Sequence, residues 1–218
     1  MTARWANVFG VAPTDRRSER LGMVGFPSPF GGDDDELFDG RDEFVPEHLP
    51  DPGPFLRDSD VLAGEAHVAF HEVTRDIFEE RSVYDATFGY NLARLNLDAR
   101  HPDAGYRYAE QSGEGSDGPI LRAEFTPTTA FCPQSGTLTL GSFRAWNGLS
   151  DRHGYDLVRV RLHPMHHDAE SINERLAAVE DEYRETGDLA NAGGGRAESL
   201  ATRPATGGEP DAGPDSPF

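Results

Sequence analysis

Residues 120–146 read ILRAEFTPTTAFCPQSGTLTLGSFRAW, and this stretch decides the fold. It opens with LRAEFT, in which apolar and polar residues alternate as they do in a half-buried strand. The chain then turns through TPTTAF to Cys132 and Pro133. Pro133 suits the first turn of a helix, because its missing N–H is not needed there. We expect that helix to carry the apolar residues Leu138, Leu140, Phe143 and Trp146.

Cys132 is the only cysteine of the chain, and the pattern places it at this strand-to-helix turn. The N-terminus of a helix carries a partial positive charge, which favours the thiolate over the thiol. A buried cysteine that acts as a small apolar filler is the alternative interpretation.

The motifs FTPTTAFCP and SGTLTLGSFR resemble the signature of the iron–sulfur cluster assembly domain family of the PaaD, SufT and MIP-eighteen type. The resemblance covers about residues 64–185, and Asn173 and Leu176 match the Asn-containing final helix of that family. The family's Asp-Pro-Glu motif has no match here. The resemblance implies a two-layer α+β domain that assists the maturation of iron–sulfur proteins through Cys132.

The composition narrows the class of protein. The 218 residues include 39 acidic and 20 basic side chains, every basic one an arginine, for a net charge of -19. Such acidity spread along a chain favours adaptation to high salt, and it disfavours nucleic-acid binding because phosphates need a basic face.

One cysteine allows no internal disulfide and fits a reducing cytoplasm. No apolar run approaches a membrane span, and MTAR opens no signal peptide, so we expect a cytoplasmic protein.

The chain divides by composition into three parts. Residues 1–60 are rich in Gly, Pro and Asp and predict a weakly ordered acidic arm. Residues 62–186 carry the periodic apolar patterns and predict the iron–sulfur assembly-like domain. Residues 187–218 are Gly/Ala/Pro/Asp-rich and predict a disordered tail.

Inside the domain the pattern predicts the order helix, strand, strand, helix, strand, helix. The first helix covers about 64–81, and the first strand about 90–97, where a helix is the competing interpretation. Residues 98–118 predict a long hairpin loop that Tyr106 and Tyr108 extend. A strand at 158–162 precedes a helix that Asp168 or Ser171 can cap and Gly187 ends. We expect an α+β fold with a small three-stranded mixed or antiparallel sheet, one face of which meets water.

The candidate thiol site consists of Cys132 with the hydroxyls of Thr126, Thr128 and Thr129, which can donate hydrogen bonds to a thiolate or to a cluster sulfide. A cluster usually needs four thiolates, so a transient cluster here requires a homodimer, a partner or small thiols. The expected partners are apoproteins that receive clusters and other assembly factors.

Histidines supply a second set of candidates. His163 and His166 could bind a transition metal together with Cys132, whereas His67 and His71 predict a surface or partly packed pair. A Cys–His nucleophile with His153 or His163 as the base is conceivable. No orienting third group and no phosphate loop accompany it, so we do not expect an enzyme.

Three functions remain to be compared. A shallow, exposed Cys132 favours a cluster assembly or targeting factor, and a fully buried Cys132 favours a non-catalytic interaction module of the same fold. A deep pocket that joins Cys132 to a histidine favours a small hydrolase or metal-dependent enzyme.

The net charge of -19 predicts that the chain becomes more stable as salt is added. Repulsion between surface carboxylates falls as the Debye length shortens from about 10 Å at 0.1 M salt to about 3 Å at 1 M. We expect the melting temperature to rise between low and molar KCl. A melting temperature that stays flat or falls over this range would count against high-salt adaptation.

Overall fold

The computed structural model of the chain describes Phe38 and residues 46–111 and 118–189. These residues form a four-stranded sheet, a two-stranded sheet and three α-helices, which confirms the predicted α+β class. The strands are β1 Asp60–Val61, β2 Tyr84–Asp85, β3 Tyr90–Asn91, β4 Gly105–Gln111, β5 Ile120–Thr126 and β6 Leu157–Leu162. The helices are α1 Glu65–Glu80, α2 Ser135–Asn147 and α3 Ala169–Thr186.

The main sheet has the order β1-β4-β5-β6, so it is mixed but has four strands where three were predicted. β5 pairs with β4 in antiparallel fashion and with β6 in parallel fashion. The parallel pair needs a crossover connection, and α2 supplies it. One face of the sheet carries Leu121, Ala123 and Phe125 from β5, all buried in the core with Trp146 of α2.

The predicted strand over 90–97 is wrong beyond its first residues. Tyr90 and Asn91 form β3, but Leu92–Leu97 is a 3₁₀ helix, closer to the competing helical interpretation. The side chain of Asn91 starts the turn by accepting a hydrogen bond from the Ala93 N–H at 3.0 Å. Five of the six residues are buried. A half-buried strand would expose every second side chain to solvent, and this segment does not.

The predicted loop over 98–118 is also wrong, because β4 lies within it. All seven residues of β4 pair with β5. Tyr106 and Tyr108 are fully buried on the core face. Their alternation with Arg107 was the local signal for a strand, and pairing with β5 decides in its favour.

The second face of the sheet does not meet water as predicted, because residues 53–57 cross it. The buried Glu124 carboxylate accepts hydrogen bonds from the N–H groups of Gly53 at 2.6 Å and Phe55 at 3.2 Å. A Cβ on Gly53 would collide with the Glu124 carboxylate. Burial raises the pKa of Glu124, and the two N–H groups oppose that effect.

The folded unit therefore extends upstream of residue 62. Within the predicted arm, Pro46–His48 and Pro54–Leu56 are short 3₁₀ helices, and Leu56 is 1% exposed. Phe38 packs edge-on against Tyr90 with ring centroids 5.5 Å apart. The remainder of the predicted arm, and the predicted tail beyond residue 189, lie outside the described residues.

Asparagine side chains complete the strands where no further strand pairs. Asn147 donates to the Val158 carbonyl and accepts from the Val158 N–H, both at 2.9 Å. Asn173 makes the same pair of bonds to Leu162, and Asn96 makes it to Tyr106 of β4. Each side-chain amide thus takes the place of one residue of a neighbouring strand. It pairs with a backbone N–H and C=O that burial would otherwise leave unsatisfied.

His67 and His71 are buried, so the predicted surface or partly packed pair is wrong. Their rings stack with centroids 5.7 Å apart, and both lie against the Tyr108 ring. His71 donates from Nε2 to the Ala93 carbonyl at 2.8 Å and accepts at Nδ1 from the Tyr108 hydroxyl at 2.7 Å. Burial lowers the pKa of His67 to about 3 and that of His71 to about 4.

The ends of α3 agree in part with the prediction. Asp168 precedes the helix without a side-chain capping bond, and Ser171 lies inside the helix. Gly187 ends it in the left-handed conformation, with φ 69°, which glycine adopts without steric cost.

None of the helices in the described residues has the length and apolar character needed to cross a bilayer.

Replacing Asn147 with Ala should destabilise the domain more than replacing Asn173. Asn147 is 4% exposed, so its loss leaves a buried N–H and C=O unpaired, at a cost of about 2–4 kcal/mol. Asn173 is half-buried, and water can replace its amide. Chemical denaturation of both variants measures the difference. An Asn147→Ala variant no less stable than Asn173→Ala would contradict the proposed role of this amide.

The buried histidine pair should make the domain less stable as the pH falls. Unfolded histidines take up protons below about pH 6.5, whereas the folded ones stay neutral down to about 4 and 3. Stability should therefore be complete above pH 6.5 and fall below it by about 1.4 kcal/mol per pH unit for each histidine. His67→Phe keeps a ring in the stack and should remove one of the two contributions, with His101→Gln as control. Parallel stability curves for wild type and His67→Phe would refute this.

Candidate functional site

Cys132 lies in the loop that joins β5 to α2, as the sequence predicts. The loop leaves the sheet after Thr126, and α2 begins at Ser135. Pro133 therefore precedes the helix instead of lying in its first turn. Cys132 is partly exposed. It is therefore neither fully buried, as the interaction module predicts, nor fully exposed, as the assembly factor predicts.

A second loop, residues 163–168, holds the first in place. Because β5 and β6 are parallel, the loops that follow them leave the sheet at the same end. His166 donates from Nε2 to the Cys132 carbonyl at 3.0 Å, and the Ser135 N–H donates to the same oxygen at 3.2 Å. The Asp168 N–H donates to His166 Nδ1 at 3.2 Å and so fixes the tautomer.

His167 links the same two loops on the N-terminal side of Cys132. Its backbone N–H and its Nδ1–H both donate to the Ala130 carbonyl, at 3.0 and 2.8 Å. Its Nε2 lies 2.9 Å from the Asp168 carboxylate. The Phe131 ring packs on the imidazole with centroids 4.9 Å apart. The backbone on both sides of Cys132 is thus anchored, whereas its side chain is not part of the core.

The Cys132 loop borders a groove of about 600 Å³ between α2 and α3, here called the cysteine groove. Cys132 and His166 line its loop end, and Leu140 and Ile172 line its helical walls. Arg175 of α3 also lines it, and a Cβ on Gly136 would lie 3.1 Å from its Nη2. Gly136 therefore lets the arginine approach the first turn of α2.

The predicted threonines share the loop but differ in environment. Thr126 is buried at the end of β5, opposite Gly105. Thr128 is half-buried and Thr129 is exposed. The three hydroxyls therefore do not form a single buried set.

The structure separates His163 from His166. His163 accepts at Nδ1 from the Met165 N–H at 3.1 Å, and its ring lies beside Gly53 on the other side of the sheet. His166 is buried against the Cys132 loop. Within residues 46–111 and 118–189, no three His, Cys, Asp or Glu side chains come together as metal ligands.

His153, the other proposed base, lies at the far end of α2. Its Nε2 donates to the Trp146 carbonyl at 3.0 Å, and its Nδ1 accepts from the Tyr155 N–H at 3.1 Å. A helix of this length spans about 20 Å, which separates His153 from Cys132.

Sequence reasoning missed Arg175 and the exposed apolar residues beside the cysteine groove. Phe131 is 72% exposed and Met165 is 41% exposed, one in each of the two loops. Phe131 adjoins Cys132, so its position in the loop was the available signal. Arg175 lies 43 positions from Cys132 in the sequence, and only the packing of α3 on α2 brings it close.

Comparison with known proteins identifies a family. No curated protein sequence matches the chain. A family model described as a domain of unknown function, DUF7998, matches residues 36–190, which include every described helix and strand. Since the match covers more than half of the sequence, the chain belongs to the DUF7998 family.

Proposed function

We propose that this protein is an iron–sulfur cluster assembly or targeting factor in which Cys132 ligates a cluster in transit to an apoprotein. The observation that carries the proposal is the partly exposed Cys132 at the mouth of the cysteine groove, on a loop whose backbone is anchored on both sides. The sequence resemblance around Cys132 supports the same function.

The anchoring suits a ligand that must keep its position while a cluster arrives and leaves. Hydrogen bonds from His166 and Ser135 hold the Cys132 carbonyl, and His167 holds Ala130. Little conformational entropy is then lost when the sulfur binds iron.

The electrostatics around Cys132 also suit an anionic cargo. An iron–sulfur cluster with thiolate ligands is negatively charged, and a chain with a net charge of -19 would repel it over most of its surface. No acidic residue occurs between Glu124 and Asp151. Arg175 and the N-terminus of α2 add positive potential on the groove side, and Asp168, the one acidic residue among the described residues that line the groove, lies 2.9 Å from the His167 imidazole.

One thiolate cannot complete the cluster's coordination. The remaining ligands come from a second copy of the chain, from an assembly partner or client apoprotein, or from small thiols. The open groove admits any of these. A reducing cytoplasm would keep Cys132 reduced and able to ligate iron, consistent with the single cysteine of the chain.

The geometry gives less support to an enzyme with a cysteine nucleophile. Such an enzyme needs a base within hydrogen-bonding reach of the sulfur. Both ring nitrogens of His166 are engaged by backbone groups, and both of those of His153 are engaged at the far end of α2.

A non-catalytic interaction module of the same fold is the second candidate. The exposed Phe131 and Met165 beside the cysteine groove favour it, because large exposed apolar side chains often mark contact sites. In this case the surface would bind a partner without any role for the thiol.

Anaerobic reconstitution with iron and sulfide separates the two candidates. We expect the wild type to take up iron and sulfide, to gain charge-transfer absorbance and to convert an apo-ferredoxin to its holo form. Cys132→Ser should lose all three properties yet keep its melting temperature, because a partly exposed loop side chain contributes little packing. Thr186→Ala, at the far end of α3, is the control.

Alkylation completes the test. Iodoacetamide should modify Cys132 in the folded protein at a rate close to that of a small thiol. Equal cluster uptake by wild type and Cys132→Ser would exclude the proposed role of the thiol. Slow alkylation together with a serine variant of lowered stability would instead assign Cys132 to the core.

A further inference from the structure

The cysteine groove contains a guanidinium group that its neighbours leave free. Arg175 lines the groove, and its side chain is exposed. Within the part of the chain that the structure describes, no hydrogen bond or ion pair engages this guanidinium. Asp168, the one carboxylate among the described residues that line the groove, lies 2.9 Å from His167 instead. The groove therefore offers an available cation in a chain that has 39 acidic and 20 basic side chains.

The thiol of Cys132 and the guanidinium of Arg175 are close enough for one small molecule to span them. The Ser135 N–H donates to the Cys132 carbonyl at 3.2 Å, which closes a turn with its ends within about 7 Å of each other. Gly136 comes next, and a Cβ on it would lie 3.1 Å from Arg175 Nη2. The two functional groups are therefore separated by a distance on the order of 10 Å.

The size and walls of the cysteine groove suit a small organic molecule. Its volume of about 600 Å³ lies within the range of about 300–1,000 Å³ that is usual for small-ligand sites. Leu140 and Ile172 give it apolar walls, and the exposed Thr137 and Ser171 add hydroxyl groups. Apolar surface with a few polar groups is typical of such sites.

The two functional groups indicate the chemical class of the ligand. A guanidinium binds a carboxylate through two parallel hydrogen bonds, which fixes the orientation of the bound molecule. A cluster held by Cys132 alone needs further thiolates to complete its coordination. A ligand with a carboxylate at one end and a thiol at the other meets both requirements.

We propose that the cysteine groove is a binding site for a small thiol that carries a carboxylate. The carboxylate pairs with Arg175, the carbon chain packs on Leu140 and Ile172, and the thiol lies beside Cys132. When a cluster is present, this thiol gives its proton to water and its sulfur donates an electron pair to iron. The ligand role rests on the proposed function, whereas binding of the thiol in the groove does not.

Thiol–disulfide exchange at Cys132 tests the binding in the absence of iron. The full chain is equilibrated with 6-mercaptohexanoate or with its matched amide, 6-mercaptohexanamide, each supplied as thiol and symmetrical disulfide. The Cys132 thiolate attacks the probe disulfide, forms a mixed disulfide and releases one probe thiolate. Mass spectrometry measures the equilibrium, and Cys132 is the only cysteine that can react. The KCl concentration is the lowest at which circular dichroism shows a folded chain, because salt screens the expected ion pair.

The carboxylate probe should be favoured over the amide by the wild type. We expect its equilibrium constant to be at least about threefold larger, the size of an ion pair at a partly exposed site. Arg175→Gln should abolish this preference. Arg57→Gln removes an exposed charge outside the groove and should retain it. An equal preference in the wild type and in Arg175→Gln would overturn the proposal.

Two variants of Thr137 provide a matched comparison inside the groove. Thr137→Asp and Thr137→Asn introduce side chains of nearly equal shape at this exposed position, but only Asp adds a negative charge. We expect Asp to lower the equilibrium constant of the carboxylate probe at least about threefold relative to Asn, and to leave that of the amide unchanged. Equal values would contradict a carboxylate site here. A neutral cysteine peptide with blocked ends that exchanges as favourably as the carboxylate probe would assign the groove to a client protein and equally refute a small thiol.

Anaerobic reconstitution, with each probe as the only added thiol, tests the ligand role. We expect the wild type to retain its charge-transfer absorbance at a concentration of the carboxylate probe at least about threefold lower than that of the amide. Arg175→Gln should need equal concentrations of the two. The same equality in the wild type would refute the ligand role but leave the proposed function intact. A wild type that takes up no cluster with either probe would refute the proposed function, while the iron-free equilibrium decides binding in the groove by itself.

Discussion

The parallel pairing of β5 with β6 is the constraint on which the rest of the structure depends. Two parallel neighbours cannot be joined by a tight turn, so the chain must cross the sheet, and α2 is that crossing. The same pairing brings the loop after β5 and the loop after β6 to one end of the sheet. His166 and His167 can therefore reach the backbone around Cys132 from more than 30 residues away. The position of the thiol follows from the topology of the sheet as much as from its own loop.

Local pattern was enough to predict β5, α2, β6 and α3, because each has a clear apolar period and a recognisable boundary. It failed where the decision depended on distant residues. Leu92–Leu97 alternates like a strand, yet burial on all sides turns it into a 3₁₀ helix. β4 looked like a loop because only Tyr106 and Tyr108 carry its period. The same limit applies to the site residues. Cys132 could be found from its motif, whereas the contacts of His166 depend on the pairing of β5 with β6, and the approach of Arg175 depends on the packing of α3 on α2.

The fold supplies hydrogen-bond partners for several of the polar groups that this domain buries. Glu124 is the clearest case, since two backbone N–H groups of the crossing segment 53–57 meet its carboxylate. That segment is therefore part of the domain and not an appendage of it. On the opposite face, α2 is free of acidic residues and has a groove on each side, one beside Cys132 and one between Arg81 and Arg144. The helix that crosses the sheet thus contributes no carboxylate to either groove.

Asn147, Asn173 and the Arg161 guanidinium occupy the outer hydrogen-bonding positions of β6 at Val158, Leu162 and Val160. An uncovered edge strand can recruit a strand of another chain, which is the start of domain swapping and fibrous aggregation. Here an incoming strand would have to displace three side chains before it could form a ladder. The opposite edge offers only the two residues of β1. These three side chains therefore protect the β6 edge of the sheet against strand addition.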